Sequence, residues 1–232
     1  MRNIKHIFFD LDRTLWDFEI NSHLTLVEIF NELRLKEKLA VESEIFIKEY
    51  KRINELFWSD YRDGTITKEE LRHARFETTL KYFGLEDATL AAAMGESYIT
   101  QSPRKTALVN GTIELLDYLK PKYELHIITN GFSEVQHIKL KESGLEPYFK
   151  EVVISENVGF QKPHINVFRF AEKATGSTPE NSIMIGDHYD ADIIGALGAG
   201  WKSIYFEPEE VEFEQHENLN HVKSLRAITE LL

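Results

Sequence analysis

The sequence predicts an α/β protein: a parallel sheet with a helical bundle inserted after the first strand. Three observations point there. A short apolar run, Ile7-Phe8-Phe9, ends abruptly in two carboxylates, Asp10 and Asp12. From about Asn21 to Tyr98 only helical periodicity is present. From about Lys105 onward short apolar runs alternate with amphipathic stretches of helix length, the pattern of strands joined by right-handed crossovers.

The first run is too short for a helix and apolar throughout, so it reads as a strand buried on both faces. Asp10 and Asp12 fall where this strand leaves the sheet, the end at which open α/β sheets carry their ligands. Two carboxylates this close resist joint ionisation, and a bound Mg²⁺ is the simplest positive partner. On its own Asp-x-Asp-x-Thr also fits a strand followed by a plain acidic turn.

In the helical block, Leu24, Val27, Phe30 and Leu33 make one apolar stripe; Ile45, Phe46, Ile53, Leu56 and Phe57 make a second. Asp63-Gly64 signals a turn. Thr67-Lys68-Glu69-Glu70 fits a capping box for a helix carrying Leu71, Ala74 and Phe83 and closed by Gly84. A fourth helix runs from about Asp87 through Leu90, Ala91, Met94 and Tyr98. Four amphipathic helices with short joins predict a small bundle. Beyond it, strands are expected at 125–128, 152–154, 183–185 and 203–206, with helices near 112–120, 133–143, 163–175 and 192–197. Gly144 suits a helix end and Pro163 a first helical position. The acidic stretch 207–217 reads as a solvated loop. The expected division is a core of 1–16 with 105–232 and an inserted unit of 17–104.

Composition narrows the function. The 232 residues, 42% of them hydrophobic, suffice for a domain plus an insertion. No apolar run is long enough for a bilayer and no signal-peptide pattern is present, so no membrane role is expected. There is no cysteine, which excludes disulfides and thiolate metal sites. These features together predict a cytoplasmic protein. The net charge of −12 argues against long nucleic acid as a partner. It also repels a phosphorylated substrate at long range, so local positive groups must capture one. Nine histidines include no HExxH pattern, and zinc is not expected. Gly195-x-x-Gly198-x-Gly200 follows a helix rather than opening one, which fits close packing and not a dinucleotide site.

The strand ends collect chemistry. The second strand ends in Thr129-Asn130-Gly131, the fourth in Gly186-Asp187 with Asp190 and Asp192 behind, and Lys162-Pro163 follows the third. Carboxylates hold Mg²⁺; a hydroxyl, backbone N–H groups and an ammonium hold phosphate oxygens. Singly, each has a plainer account: Thr129 as a helix cap, Lys162 as a surface lysine, Asp187 and Asp192 as acids near a helix start. Four such sites in order, each at a strand end, favour the functional reading.

In these residues the chain resembles the haloacid dehalogenase (HAD) superfamily in its phosphatase form. Asp10-Leu11-Asp12-Arg13-Thr14, Thr129, Lys162, and Gly186-Asp187 with Asp192 look like its four motifs. The fold implied is a Rossmann-like parallel sheet with an inserted helical-bundle cap. Trp58-x-Asp60-Tyr61-x-x-Gly64-x-Ile66-Thr67 with Arg75-Phe76-Glu77 is similar to the cap of the bacterial pyrimidine 5′-nucleotidase branch. The resemblance implies Asp10 as nucleophile and Asp12 as general acid and base. It implies Mg²⁺ held by Asp10, Asp187 and the backbone carbonyl of Asp12, with Asp192 orienting metal-bound water. Thr129, Asn130 and Lys162 are implied as phosphate contacts, and Trp58, Tyr61, Arg75 and Phe76 as cap contacts to substrate. The implied substrate is a small phosphate monoester, a pyrimidine nucleotide by preference. A sugar phosphate or phosphoglycolate is the alternative, and a non-catalytic binding module on the same fold is disfavoured by the intact acid pair. Arg13 stands where many relatives have glycine, and His188 where a small hydroxyl residue is common. Protein partners are left unspecified.

Overall fold

Every residue of β1 (His6–Phe9) is buried. The computed structural model describes residues 3–232. The chain divides into two units, one running to Phe18 and resuming over Thr106–Leu232, the other Glu19–Lys105.

The second unit is helical, with α1 (Phe18–Glu32), α2 (Leu35–Leu39), α3 (Ser43–Arg62), α4 (Lys68–Tyr82) and α5 (Ala88–Gln101). Thr67 and Glu70 form the capping box: the Glu70 N–H donates to Thr67 Oγ1 at 3.2 Å, and the Thr67 N–H donates to Glu70 Oε2 at 2.7 Å. The core is Leu26, Ile29, Phe30, Phe46, Tyr50, Phe76, Leu80 and Met94 among others. Two expectations are corrected. The short α2 is a fifth helix, too brief to show a period and bracketed by Arg34 and Ala40 in left-handed conformation. Leu24, Ile45 and Leu56 are exposed; the buried stripe of α1 runs through Leu26, Ile29 and Phe30, a slightly different set of i, i+3 and i+4 positions.

The first unit carries β2 (Glu124–Thr129), β3 (Glu151–Ile154), β4 (Ser182–Gly186), β5 (Lys202–Phe206) and β6 (Leu219–Val222) beside β1. The order is β3-β2-β1-β4-β5-β6, all parallel. The helices are α6 (Thr112–Leu119), α7 (Ser133–Glu142), α8 (Ser155–Val158), α9 (Ile165–Thr175) and α10 (Gly195–Gly198). Alternation along β1 serves both faces: Ile7 and Phe9 pack with Leu115, Leu116, Ile127 and Ile185, and Phe8 with Ile128, Phe168, Met184 and Trp201. β6 was not expected, because Leu219-Asn220-His221-Val222 holds too few apolar residues to stand out. α9 begins at Ile165 rather than at Pro163; His164 caps it by accepting the Asn166 N–H. The stretch expected as a helix from 192 is a π-helical turn over Tyr189–Ile194, followed by the short α10.

His6 and His126 share the Phe8 face. Their rings meet at Nδ1 and Nε2, 3.2 Å apart, and His126 stacks on Phe8 with centroids 4.7 Å apart. Burial pushes His126 down to about 4, with His6 and Lys150 lowering it further and Glu124 opposing. The folded imidazole therefore stays neutral while the unfolded one takes up a proton below about 6.5. Stability from this site is full above that pH and is lost as pH falls through the folded value. Thermal unfolding of wild type and His126→Gln at pH 7 and pH 5 tests this. The wild type is expected to lose more stability on acidification than the variant; equal losses would contradict neutral burial.

Candidate active site

The pairing of β1 with both β2 and β4 sets the site. Phe9 is in register with Ile127 on one side and Ile185 on the other, so the strand ends at Asp10, Thr129 and Gly186-Asp187 lie together. The Asp10 N–H donates to the Ile185 carbonyl at 2.9 Å, carrying the sheet pairing one residue into the motif. This is the switch point where connections leave β1 and β4 in opposite directions.

Carboxylate oxygens of Asp10, Asp187 and Asp192 all lie within 4.8 Å of one another. Lys162 stands against them. Its ammonium donates to Asp10 Oδ1 at 2.6 Å and to the Ile128 carbonyl at 2.7 Å, and lies 2.6 Å from Asp192 Oδ1. Lys162 is 2% exposed and Asp192 1%. Burial would lower the Lys162 ammonium, but Asp10 and Asp192 outweigh it and hold the group above its ordinary value. Burial drives Asp10 well above the usual carboxylate range; Lys162 opposes this, and Asp192 and Asp187 add repulsion. Asp187 is pushed up to about 7 by burial and by Asp192, against the hydrogen bond from Thr14. Lys162, with Arg13 also acting on Asp187, thus faces three carboxylates. A hard divalent cation fits this donor set, since it supplies the missing positive charge and takes carboxylate oxygens.

Two glycines make room for these groups. A Cβ on Gly186 would sit 2.3 Å from Asp192 Oδ2, and one on Gly131 would sit 2.3 Å from Gln136 Nε2. The Asp192 carboxylate that fills the first space accepts the His188 N–H at 3.0 Å. Thr129 is buried at the end of β2, and its Oγ1 accepts from Gln136 Nε2 at 2.6 Å and from the Gly131 N–H at 3.1 Å.

The expected residues are brought together with some changes of part. The Asp12 carboxylate is turned away from the acidic cluster: Oδ1 accepts from Lys139 Nζ at 2.6 Å and Oδ2 from Gln136 Nε2 at 2.9 Å. The cluster is instead completed by Asp192. The Asn130 side chain is occupied with the Lys162 backbone, accepting its N–H and donating to its carbonyl, both at 2.9 Å. It holds the Lys162 loop against the end of β2. Arg13 adopts φ 66°, the left-handed conformation glycine favours, so this turn keeps a glycine-type backbone without a glycine. His188 accepts the Ala191 N–H through Nδ1 and starts the π-helical turn that delivers Asp192.

In the helical unit, Phe76 and Arg75, expected as substrate contacts, lie inside the bundle. Phe76 is fully buried and stacks on Tyr50 with centroids 4.8 Å apart. Arg75 points into the same interior, donating to Asn54 Oδ1 at 2.8 Å and lying 5.0 Å from the Tyr98 ring centroid. Bundle packing accounts for both. Trp58 and Tyr61 are half-buried and meet edge to face. Sequence reading missed three polar residues of the core site: Thr14, whose Oγ1 donates to Asp187 Oδ1 at 2.9 Å, Gln136 and Lys139. Thr14 sits inside the first motif, but the other two lie on a helix with no motif to mark them.

Acids and an ammonium gathered at the switch point of a parallel sheet define an enzyme site rather than a structural ion pair. The chain belongs to the haloacid dehalogenase-like hydrolases, whose family model matches residues 4–200. It is 35% identical to the pyrimidine 5′-nucleotidase YjjG of Escherichia coli, over 84% of this chain and 82% of that one. It is 33% identical to a glyceraldehyde 3-phosphate phosphatase of Methanothermobacter thermautotrophicus, over 91% and 89%. Among solved structures, the magnesium-bound HAD-hydrolase YfnB of Bacillus subtilis superposes with a TM-score of 0.89 over 99% of both chains, at 27% identity. No helix among the described residues is long and apolar enough to cross a membrane.

The Gly186 space gives a test. Gly186→Ala is expected to destabilise by about 1–3 kcal/mol, the usual range for overpacking. Gly198→Ala, where nothing lies within 4 Å of the new methyl, is expected to leave stability unchanged or slightly raised. Urea denaturation of the two variants measures the difference; equal midpoints would contradict the close approach of Asp192.

Proposed function

We propose that the protein is a Mg²⁺-dependent phosphomonoesterase that hydrolyses nucleoside 5′-monophosphates, pyrimidine ones by preference, through phosphorylated Asp10. The cluster of Asp10, Asp187 and Asp192, with Lys162 against the two buried members Asp10 and Asp192, carries this reading. Such a cluster suits a divalent cation, and through that cation a phosphate monoester.

In the first half-reaction an Asp10 carboxylate oxygen bonds to phosphorus as the ester P–O bond breaks. Asp12 passes its proton to the departing ester oxygen. In the second, Asp12 takes a proton from water as that water attacks phosphorus and frees the Asp10 carboxylate. Thr129 accepts two hydrogen bonds, which directs its own hydroxyl proton toward a phosphoryl oxygen. Lys162 sits where it balances charge on the transferring group. Contact by Asn130 is assigned to its main chain, since its side chain holds Lys162. Asp10, Asp187 and the Asp12 carbonyl would hold Mg²⁺, which would neutralise charge at the phosphoryl oxygens, with Asp192 as an orienting acid.

These residues address only the phosphoryl group and cannot choose the leaving group. The nucleotide preference is supported by the likeness to YjjG and by the helical-unit residues Trp58 and Tyr61, whose faces suit a planar base. The comparable likeness to a glyceraldehyde 3-phosphate phosphatase supports a second reading, in which the substrate is a small phosphorylated sugar or aldehyde.

Phosphate release from UMP, dTMP, AMP, GMP, glyceraldehyde 3-phosphate and phosphoglycolate, compared as kcat/KM, separates the two. UMP or dTMP is expected to lead, and EDTA is expected to abolish turnover. Asp10→Asn is expected to be folded and inactive on every substrate, because an amide cannot serve as the nucleophile. A sugar phosphate in the lead would defeat the nucleotide reading; turnover by Asp10→Asn or after full chelation would defeat the chemistry.

A further inference from the structure

Gln136 and Lys139 are one turn apart on α7 and both point inward, where the sequence pattern of an amphipathic helix calls for apolar side chains. Gln136 is fully buried and Lys139 is 7% exposed. A lysine free to choose would extend its ammonium into water. Lys139 instead places Nζ 2.6 Å from Asp12 Oδ1 and 4.4 Å from the centroid of the buried Trp16 ring. Gln136 enters the space left by the absent side chain of Gly131, and its amide bridges Asp12 Oδ2 and Thr129 Oγ1. Each oxygen of the Asp12 carboxylate therefore has its own donor, and both donors come from one rigid helix face. Two bonds of this kind fix both rotations of the side chain, whereas one would leave the carboxylate free to turn. Asp12 is the less enclosed partner, its side chain 25% exposed against 9% for Lys139.

We propose that Lys139, supported by Gln136, is a positioning residue that holds the Asp12 carboxyl in line with the leaving oxygen. The proposal rests on the phosphatase reading above, in which Asp12 takes up a proton from solvent at Oδ2, keeps Oδ1 on Lys139, and passes that proton to the ester oxygen as the P–O bond breaks and the Asp10–P bond forms. It gives α7 a part in orienting the acid, and it ties the acid to the phosphate-binding hydroxyl through a single amide. A purely structural ion pair would have a different signature. Its loss would lower turnover of all substrates alike, whereas loss of alignment affects only the proton transfer.

The discriminating experiment uses two esters at saturating Mg²⁺. One is p-nitrophenyl phosphate, whose leaving group needs little protonation. The other is UMP or glyceraldehyde 3-phosphate, whichever the wild type turns over faster. Lys139→Met keeps the stem over Trp16 and removes the ammonium. It is expected to lower kcat/KM about a hundredfold on the alkyl ester, the scale for a misplaced catalytic group, through kcat rather than KM. The loss on p-nitrophenyl phosphate is expected to be much smaller. Lys139→Arg is expected to recover most of the activity, and Lys139→Met placed on Asp12→Asn is expected to add little further loss. Equal losses on the two esters, no loss at all, or a full additional loss in the Asp12→Asn background would each overturn the proposal. A wild type that hydrolyses neither ester would overturn the phosphatase reading and this inference with it.

Discussion

Three carboxylates facing one ammonium at the ends of β1 and β4 is the constraint on which the rest of the core unit turns. Buried carboxylates this close repel one another, and Lys162 balances only part of the charge. The fold has to hold them there against that repulsion. It does so with a strand, β1, that is paired on both sides and buried throughout, so Asp10 cannot withdraw without breaking the centre of the sheet. The same repulsion that opposes assembly is what makes the cluster receptive to a cation and, with it, to a phosphate dianion.

Space matters as much as charge. Gly186 ends β4 and Gly131 lies just beyond the end of β2, and each leaves a gap that a polar side chain from the following helical segment fills. Asp192 enters the first and reaches Lys162; Gln136 enters the second and reaches Asp12 and Thr129. Asn130 closes the arrangement by pinning the Lys162 backbone to the end of β2. The catalytic side chains are thus oriented by neighbours that are themselves held in place, which is the condition for charge stabilisation without reorganisation.

Much of this was legible in the sequence because strand ends announce themselves: an apolar run stopping at Asp10, Thr129 or Asp187 is visible without a structure. The parallel order was legible for the same reason, since alternating strands and helices permit few topologies. What stayed hidden had weaker signatures. Gln136 and Lys139 look like the solvated face of an amphipathic helix, and only the three-dimensional direction of α7 shows that they point inward. Phe76 and Arg75 read as recognition residues, yet an arginine enclosed by Tyr50, Phe76 and Tyr98 packs the bundle. β6 is too polar to be counted as a strand, and its place comes from pairing with β5 rather than from its own composition.

The acidic cluster is short of positive charge in the folded protein, and this shortage is tested most directly by counting protons released when Mg²⁺ binds, using titration calorimetry in buffers of different ionisation enthalpy. Because Asp187 is pushed up to about 7, part of the cluster is protonated at neutral pH. Mg²⁺ binding near pH 7 is expected to release a substantial fraction of a proton, and the release is expected to shrink as pH rises and Asp187 ionises. Binding with no proton release at neutral pH, or no Mg²⁺ binding at all, would contradict the account.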